Sequence, residues 1–232
     1  MSNSRSISGT FDRRFYAGMS GLALCVVLVG FARTYYLKGL FGAPSLPLLL
    51  HVHGAVMTTW FVLFVAQAAL IRARRVDLHR LVGVAGAAFA LVLVPIALAT
   101  ARQFVIRSLD DPDQLPIAAA IAGYDAVVLV VFAILVGAAL SWRRRTDIHK
   151  RLMTLAALSL LGPPLARLLG DQAAVLASNL IILVPVAIDT VWSRRLHPAF
   201  GWGGALVVLS TRAALVMVTS PGWTGFVVHL VR

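Results

Sequence analysis

The chain has 232 residues, 59% of them hydrophobic and 13% charged, with a mean hydropathy of +0.87. Soluble domains are about 45–50% apolar and about 25% charged, so this composition excludes a disordered or collagen-like chain, and Cys25 as the single cysteine excludes a disulfide scaffold. A net charge of +12 would point to nucleic acid in a soluble protein, but runs this apolar leave no polar body to carry a basic binding face. The class is an all-α, polytopic membrane protein.

A membrane helix needs about 20 mostly apolar residues. Seven stretches qualify in chain order: residues 15–32, 48–71, 81–101, 117–142, 152–169, 173–191 and 200–219. Arg5, Arg13 and Arg14 precede the first, which reads as a retained helix. Its apolar run is too long for a signal peptide, and no small-x-small cleavage site follows before Arg33. Asn179 and Pro185 interrupt the sixth.

The cations set an orientation. With the N-terminus cytoplasmic, the inner loops hold Arg5, Arg13, Arg14, Arg72, Arg74, Arg75, Arg80, Arg143, Arg144, Arg145, Lys150, Arg151, Arg194 and Arg195. These are 14 of the 21 Lys and Arg residues, in short loops where the positive-inside rule applies best. The opposite face receives Asp110, Asp111, Asp113 and Asp171. The expectation is one transmembrane domain over residues 1–232 of a bacterial inner-membrane protein, N-in and C-out. It carries a cytoplasmic tail at 1–14 and a periplasmic interfacial segment at 221–232. Most of the positive charge then serves topology and attraction to lipid headgroups.

The inner turns repeat. Arg74-Arg75-Val76-Asp77-Leu78-His79-Arg80 opens the third helix, Arg144-Arg145-Thr146-Asp147-Ile148-His149-Lys150 the fifth, and Arg194-Arg195-Leu196-His197-Pro198 the seventh. One leading helix and three duplicated hairpins describe this pattern. Asp77 and Asp147 suit N-caps and Pro198 a first helical turn, with the histidines at headgroup level. Cations at a helix N-terminus oppose its dipole, so a second reading brings His79, His149 and His197 together as an inner site for a metal or an anion.

Ionisable groups inside the spans mark function by default. The second helix carries His51 and His53, the fourth Tyr124 and Asp125, the fifth Arg167, the sixth Asn179 and the seventh Arg212. Counted from the outer helix ends, His53, Asp125, Asn179 and Arg212 lie about 8–12 Å deep, with Arg167 shallower. That common layer predicts a polar cavity open to the periplasmic side. His53, with His51 as the alternative, would be a ligand or general base there, and the pair a candidate outer metal site. Asp125 would act as acid/base or counter-charge, and Arg167 and Arg212 as anion clamps. The plain alternative is an Asp–Arg pair that only pins helices. His51 and His53 stand about 200° apart on a regular helix, so both meet one ligand only if that helix starts irregularly after Pro44 and Pro47. A b-type haem needs axial histidines on facing helices at matched depth. The outer half offers only His229 as a further candidate, on residues 223–231, and the inner half the set at the three turns. Phosphate-loop, CxxC, HExxH and GxSxG motifs are absent.

Three motifs occur together: His51-Val52-His53-Gly54, Leu78-His79-Arg80-Leu81-Val82-Gly83 and His149-Lys150-Arg151-Leu152-Met153. With them the chain resembles a group of uncharacterised bacterial multi-pass membrane proteins over about residues 15–201. The Leu-His-Arg-x-x-Gly element also resembles one in cytochrome b561-type and ferric-reductase-like membrane proteins, which implies a haem or redox role. The deep paired histidines of those families have no counterpart here. The sequence thus frames three functions. They are a periplasmic-side cavity for a small anionic ligand or a transition metal, a haem b or quinone-linked electron-transfer protein using the inner histidines, and a structural subunit of a membrane complex. Nucleic acid is not an expected partner, and whether the protein is an enzyme stays open.

Overall fold

A computed structural model describes the backbone of residues 2–232 and the side chains of residues 12–232. Arg5 and the first part of the expected N-terminal tail therefore lie outside the described side chains. Among the described residues the chain is helical, with no strand. The helices are α1 (Ser2–Gly30), α2 (Leu48–Arg72), α3 (Val76–Arg107), α4 (Gln114–Ser141), α5 (Thr146–Ser159), α6 (Gly162–Leu169), α7 (Asp171–Ser193), α8 (Pro198–Val218) and α9 (Trp223–Val231). A π-helical turn, Ala32–Tyr36, follows α1. Asp12–Gly30 of α1 and all of α2, α3, α4, α7 and α8 are long and apolar enough to cross a membrane; α5 and α6, bent by 45°, make one further span if they cross together. This is an integral membrane protein by fold and composition.

The expected fifth helix differs from the observed one. It starts earlier, at Thr146, and breaks after Ser159. Pro163 and Pro164 are the cause: without N–H groups they cannot close the bonds to the Ser159 and Leu160 carbonyls. Both prolines sit where a new helix tolerates them, in its first turn. Gly170, at φ 79°, then lets α7 start one residue after α6 ends.

Two of the three basic turns reverse through a left-handed residue, Arg74 at φ 61° and Arg194 at φ 56°. The basic turns share one end of the bundle, here called the basic end. The tips after α1, α3 and α6 share the far end.

Helix α5 is enclosed by α1, α4, α7 and α8, and it buries Arg151, Leu152, Thr154, Leu155, Ala156, Ala157 and Leu158. Close approach rests on small residues: a Cβ on Gly203 of α8 would stand 2.6 Å from Leu155 Cδ1. Phe61, Phe132, Phe200, Leu93, Leu135 and Leu155 form the centre of the core. Trp60, expected deep in its helix, is 4% exposed and packs edge-on against Phe132, with ring centres 5.0 Å apart.

Helix α9 does not lie free on the outer surface as its sequence implied. It packs on α3 and α4, burying Val227 and Val231. Trp223 Nε1 donates to the Ala119 carbonyl (3.0 Å), and Arg102 Nη2 donates to the Val231 carbonyl (2.9 Å). Phe226 and Leu230 remain exposed on its other side, so this helix is apolar on both faces.

Candidate functional site

The bend between α5 and α6 shapes the far half of the bundle. While α5 packs on α4 and α8, α6 packs on α1 and α7. The chain therefore crosses from one side of the bundle to the other at Leu160–Leu161. Beside the break a cleft of about 360 Å³ opens between α4, α5, α7 and α8. Its polar lining is Tyr124, Ser159, Ser178, Asn179, Thr211 and Arg212, set among Leu158, Val175, Ile182, Val207 and Leu215. Several of these polar groups satisfy themselves locally. Asn179 Nδ2 donates to the Val175 carbonyl (2.7 Å), Thr211 Oγ1 to Val207 (2.9 Å) and Ser159 Oγ to Ala156 (2.9 Å). Their remaining acceptor capacity is unspent.

A second set adjoins the first. Arg167 on α6 lies within electrostatic reach of both Asp125 on α4 and His53 on α2. Its guanidinium sits 4.5 Å over the Phe31 ring, and Nη1 donates to the Pro163 carbonyl at 3.2 Å. Asp125 makes no hydrogen bond and no ion pair with any described residue. His53 Nδ1 is buried without a hydrogen-bond partner. The layer expected as one cavity is thus divided by α4. Tyr124 faces the cleft with Asn179 and Arg212, while its neighbour Asp125 belongs with His53 and Arg167. Tyr124 is in electrostatic reach of both Asp125 and Arg212 and links the two sets.

His51 is not brought to His53. It is exposed while His53 is half-buried, and its carbonyl accepts a hydrogen bond from Tyr35 Oη at 3.0 Å. The helix is regular here, so the two rings diverge. Sequence reasoning missed Tyr35 and Tyr36, which the π-helical turn folds back onto α2. Tyr36 Oη and Thr58 Oγ1 are 2.7 Å apart. A Cβ on Gly54 would stand 2.5 Å from Tyr35 Cζ, so the glycine after His53 makes room for that ring. The available signal was a pair of tyrosines followed by a Gly-Pro-rich loop, at the end of an apolar run.

The basic end holds a denser network. Arg151 and Asp189 form a buried pair with side chains 8% and 5% exposed. Arg151 Nε donates to Asp189 Oδ2 (3.0 Å) and Nη2 to Oδ1 (2.7 Å), while Nη1 reaches the Asp147 carbonyl (2.7 Å). Tyr16 Oη donates to Asp189 Oδ1 at 3.3 Å. Lys150 Nζ lies 2.6 Å from Asp12 Oδ2 and over the Tyr16 ring. Asp189 was missed in the sequence. A lone Asp inside an apolar span, one turn before a basic turn, was the available signal. Arg151 was read as a loop cation and is instead buried within α5.

The three turn histidines do not form one set. His197 Nδ1 accepts from the Ala199 N–H (3.2 Å), capping α8, and Nε2 therefore donates to Asp147 Oδ2 (3.2 Å). Both of its nitrogens are engaged. His79 and His149 do meet, with ring centres 6.3 Å apart and planes at 86°. Among the described residues no group of three or more His, Cys, Asp or Glu side chains is arranged to hold a metal. His229 lies on α9, where no described ring contact joins it to another histidine.

Comparisons with family models, with curated proteins and with solved structures found no match.

Proposed function

We propose that the far half of this integral membrane protein binds a small anionic ligand, in the cleft lined by Tyr124, Asn179 and Arg212 and bordered by His53, Asp125 and Arg167. One observation carries this reading: in an apolar bundle, Asp125 has no ion-pair or hydrogen-bond partner and the buried His53 Nδ1 has none. Buried polar groups are satisfied in the great majority of cases, and an unpaired charge within a membrane span is costly. Residues kept only to pin helices make their bonds to each other, as Arg151 and Asp189 do at the basic end. Arg167 and Arg212 supply cations at the mouth, Tyr124 and Asn179 supply neutral hydrogen-bonding groups, and Asp125 with His53 offers a proton acceptor and donor beside them. With the basic turns cytoplasmic, the cleft opens on the periplasmic side of a bacterial inner membrane.

The test is a thermal-shift titration of the protein in lipid nanodiscs with phosphate, sulfate, acetate, citrate and a short-chain quinone. The reading predicts that at least one anion gives a saturable rise in Tm that Arg212→Gln and Arg167→Gln abolish. If none of the anions shifts Tm, or if the quinone alone does so and needs neither arginine, the reading is wrong.

A further inference from the structure

At the opposite end of the bundle from that cleft, and independently of it, the geometry points to a copper(I) site made by His79 and His149, one metal ion held between two imidazoles. The two histidines occupy the same place in the two fuller copies of the repeated turn, on the first turns of α3 and α5. Each ring is tied back by Nδ1 to the helix that precedes it. His149 Nδ1 donates to the Ala139 carbonyl on α4 at 2.8 Å, which leaves Nε2 as a lone pair. His79 Nδ1 meets the side-chain amide of Gln67 on α2, which also spans the His79 carbonyl (3.1 Å) and the Gly83 N–H (2.9 Å). Anchoring of one ring nitrogen by a carbonyl or amide oxygen is the arrangement that frees and orients the other for a metal. At His79 this requires Nδ1 to carry the proton and the Gln67 amide to turn its oxygen toward it.

The spacing fits one ion. Two metal–nitrogen bonds of about 2.0 Å each, plus the distance from each nitrogen to its ring centre, separate the ring centres by about 6 Å. The observed separation is 6.3 Å. Rings in direct contact would be nearer, and no hydrogen bond joins the two.

The choice of metal follows from ligand number and charge. Zinc wants four ligands, and a site of two neutral imidazoles with no third His, Cys or carboxylate does not supply them. The nearby carboxylates are engaged elsewhere: Asp77 lies 3.7 Å from Arg75, and Asp147 pairs with His197. Arg80 lies within electrostatic reach of His79. A monovalent ion with a taste for imidazole suits such surroundings better than a divalent one. Both rings are half-buried at the turn-bearing end, so the ion enters from the aqueous side.

The experiment is copper(I) binding to protein purified without a histidine tag, in nanodiscs under ascorbate, in competition with bicinchoninate. The expected result is one copper(I) per chain in the wild type and in His197→Ala, with affinity at least tenfold lower in His79→Ala and in His149→Ala. Gln67→Leu, which removes only the anchor, should lie between. X-ray absorption of the copper-loaded wild type should show two nitrogen neighbours, a readout that survives even if a histidine variant fails to fold. Failure of the wild type to bind copper, retention of copper by His79→Ala/His149→Ala, or a Soret band at one haem per chain in the purified protein would each overturn the assignment. Because the site shares no residue with the far-half cleft, His79→Ala and His149→Ala should leave any anion-induced Tm shift intact.

Discussion

Asp189 on α7 receives both Nε and Nη2 of Arg151 on α5 in a forked pair buried at the basic end, and Tyr16 of α1 donates to the same carboxylate. Three helices distant in sequence are thereby fixed on one anion. The fork is the strong geometry for Arg and a carboxylate, but its desolvation offsets much of the attraction. Its value is in joining particular helices at one register. Removing one partner leaves the other buried and unpaired, so Asp189→Ala should cost about 3–5 kcal/mol. The apolar pair Arg151→Met/Asp189→Leu should recover most of it. Thermal unfolding in nanodiscs of the two single variants and the double variant measures this coupling; equal losses that simply add would contradict it.

The opposite outcome is expected at Asp125. It has no ion pair and no hydrogen bond to lose, so Asp125→Asn should leave Tm unchanged or raise it, while abolishing the anion-induced shift. A clear drop in Tm would place Asp125 among the helix-pinning residues and remove it from the binding site.

Glycine substitutions should separate by what the new methyl meets. On Gly30 a Cβ would lie 2.6 Å from the Pro164 carbonyl oxygen and 2.8 Å from its Cα, a backbone that cannot step aside. Gly30→Ala should cost about 1–3 kcal/mol, the usual range for overpacking, by splaying α1 from α6. On Gly54 the obstacle is the Tyr35 ring, so Gly54→Ala should destabilise, and Tyr35→Ala in the same chain should relieve part of the loss. Gly21, with nothing within 4 Å, should accept alanine with no loss. Unfolding of these four variants settles the ranking.

The docking of α9 hangs on Trp223, whose indole N–H reaches Ala119 and whose ring lies against Gly123. Trp223→Phe keeps the apolar body and loses one hydrogen bond, a change of about 1 kcal/mol. It should raise hydrogen exchange across residues 223–231 and leave the rest of the bundle unchanged.

Composition and apolar run length sufficed to place the chain in a membrane as a helical bundle, because lipid leaves a spanning chain no other backbone solution. Run length was a weaker guide to continuity. Residues 152–169 read as one helix, yet Pro163 and Pro164 break it, since hydropathy carries no record of lost N–H groups. Depth along each helix was likewise legible, but not direction. Counting residues put His53, Asp125 and Arg212 in one layer, and only three-dimensional packing divides them between the two sides of α4. The repeated turn motif marked His79 and His149 as equivalent, and the structure sets them face to face. His197 departs because Pro198 starts α8 one residue later, and its imidazole is spent on capping. Asp189 escaped notice because a single acid in an apolar run has no partner visible in sequence.

The central claim is a water-accessible anion site in the far half of the bundle, and thiol accessibility tests it most directly. In a Cys25→Ser background, Ser178→Cys or Thr211→Cys should react with a membrane-impermeant maleimide added from the side opposite the basic turns, and the anion that raises Tm should protect both. Failure of both cysteines to react from that side, or labelling that the anion leaves unchanged, would contradict the account.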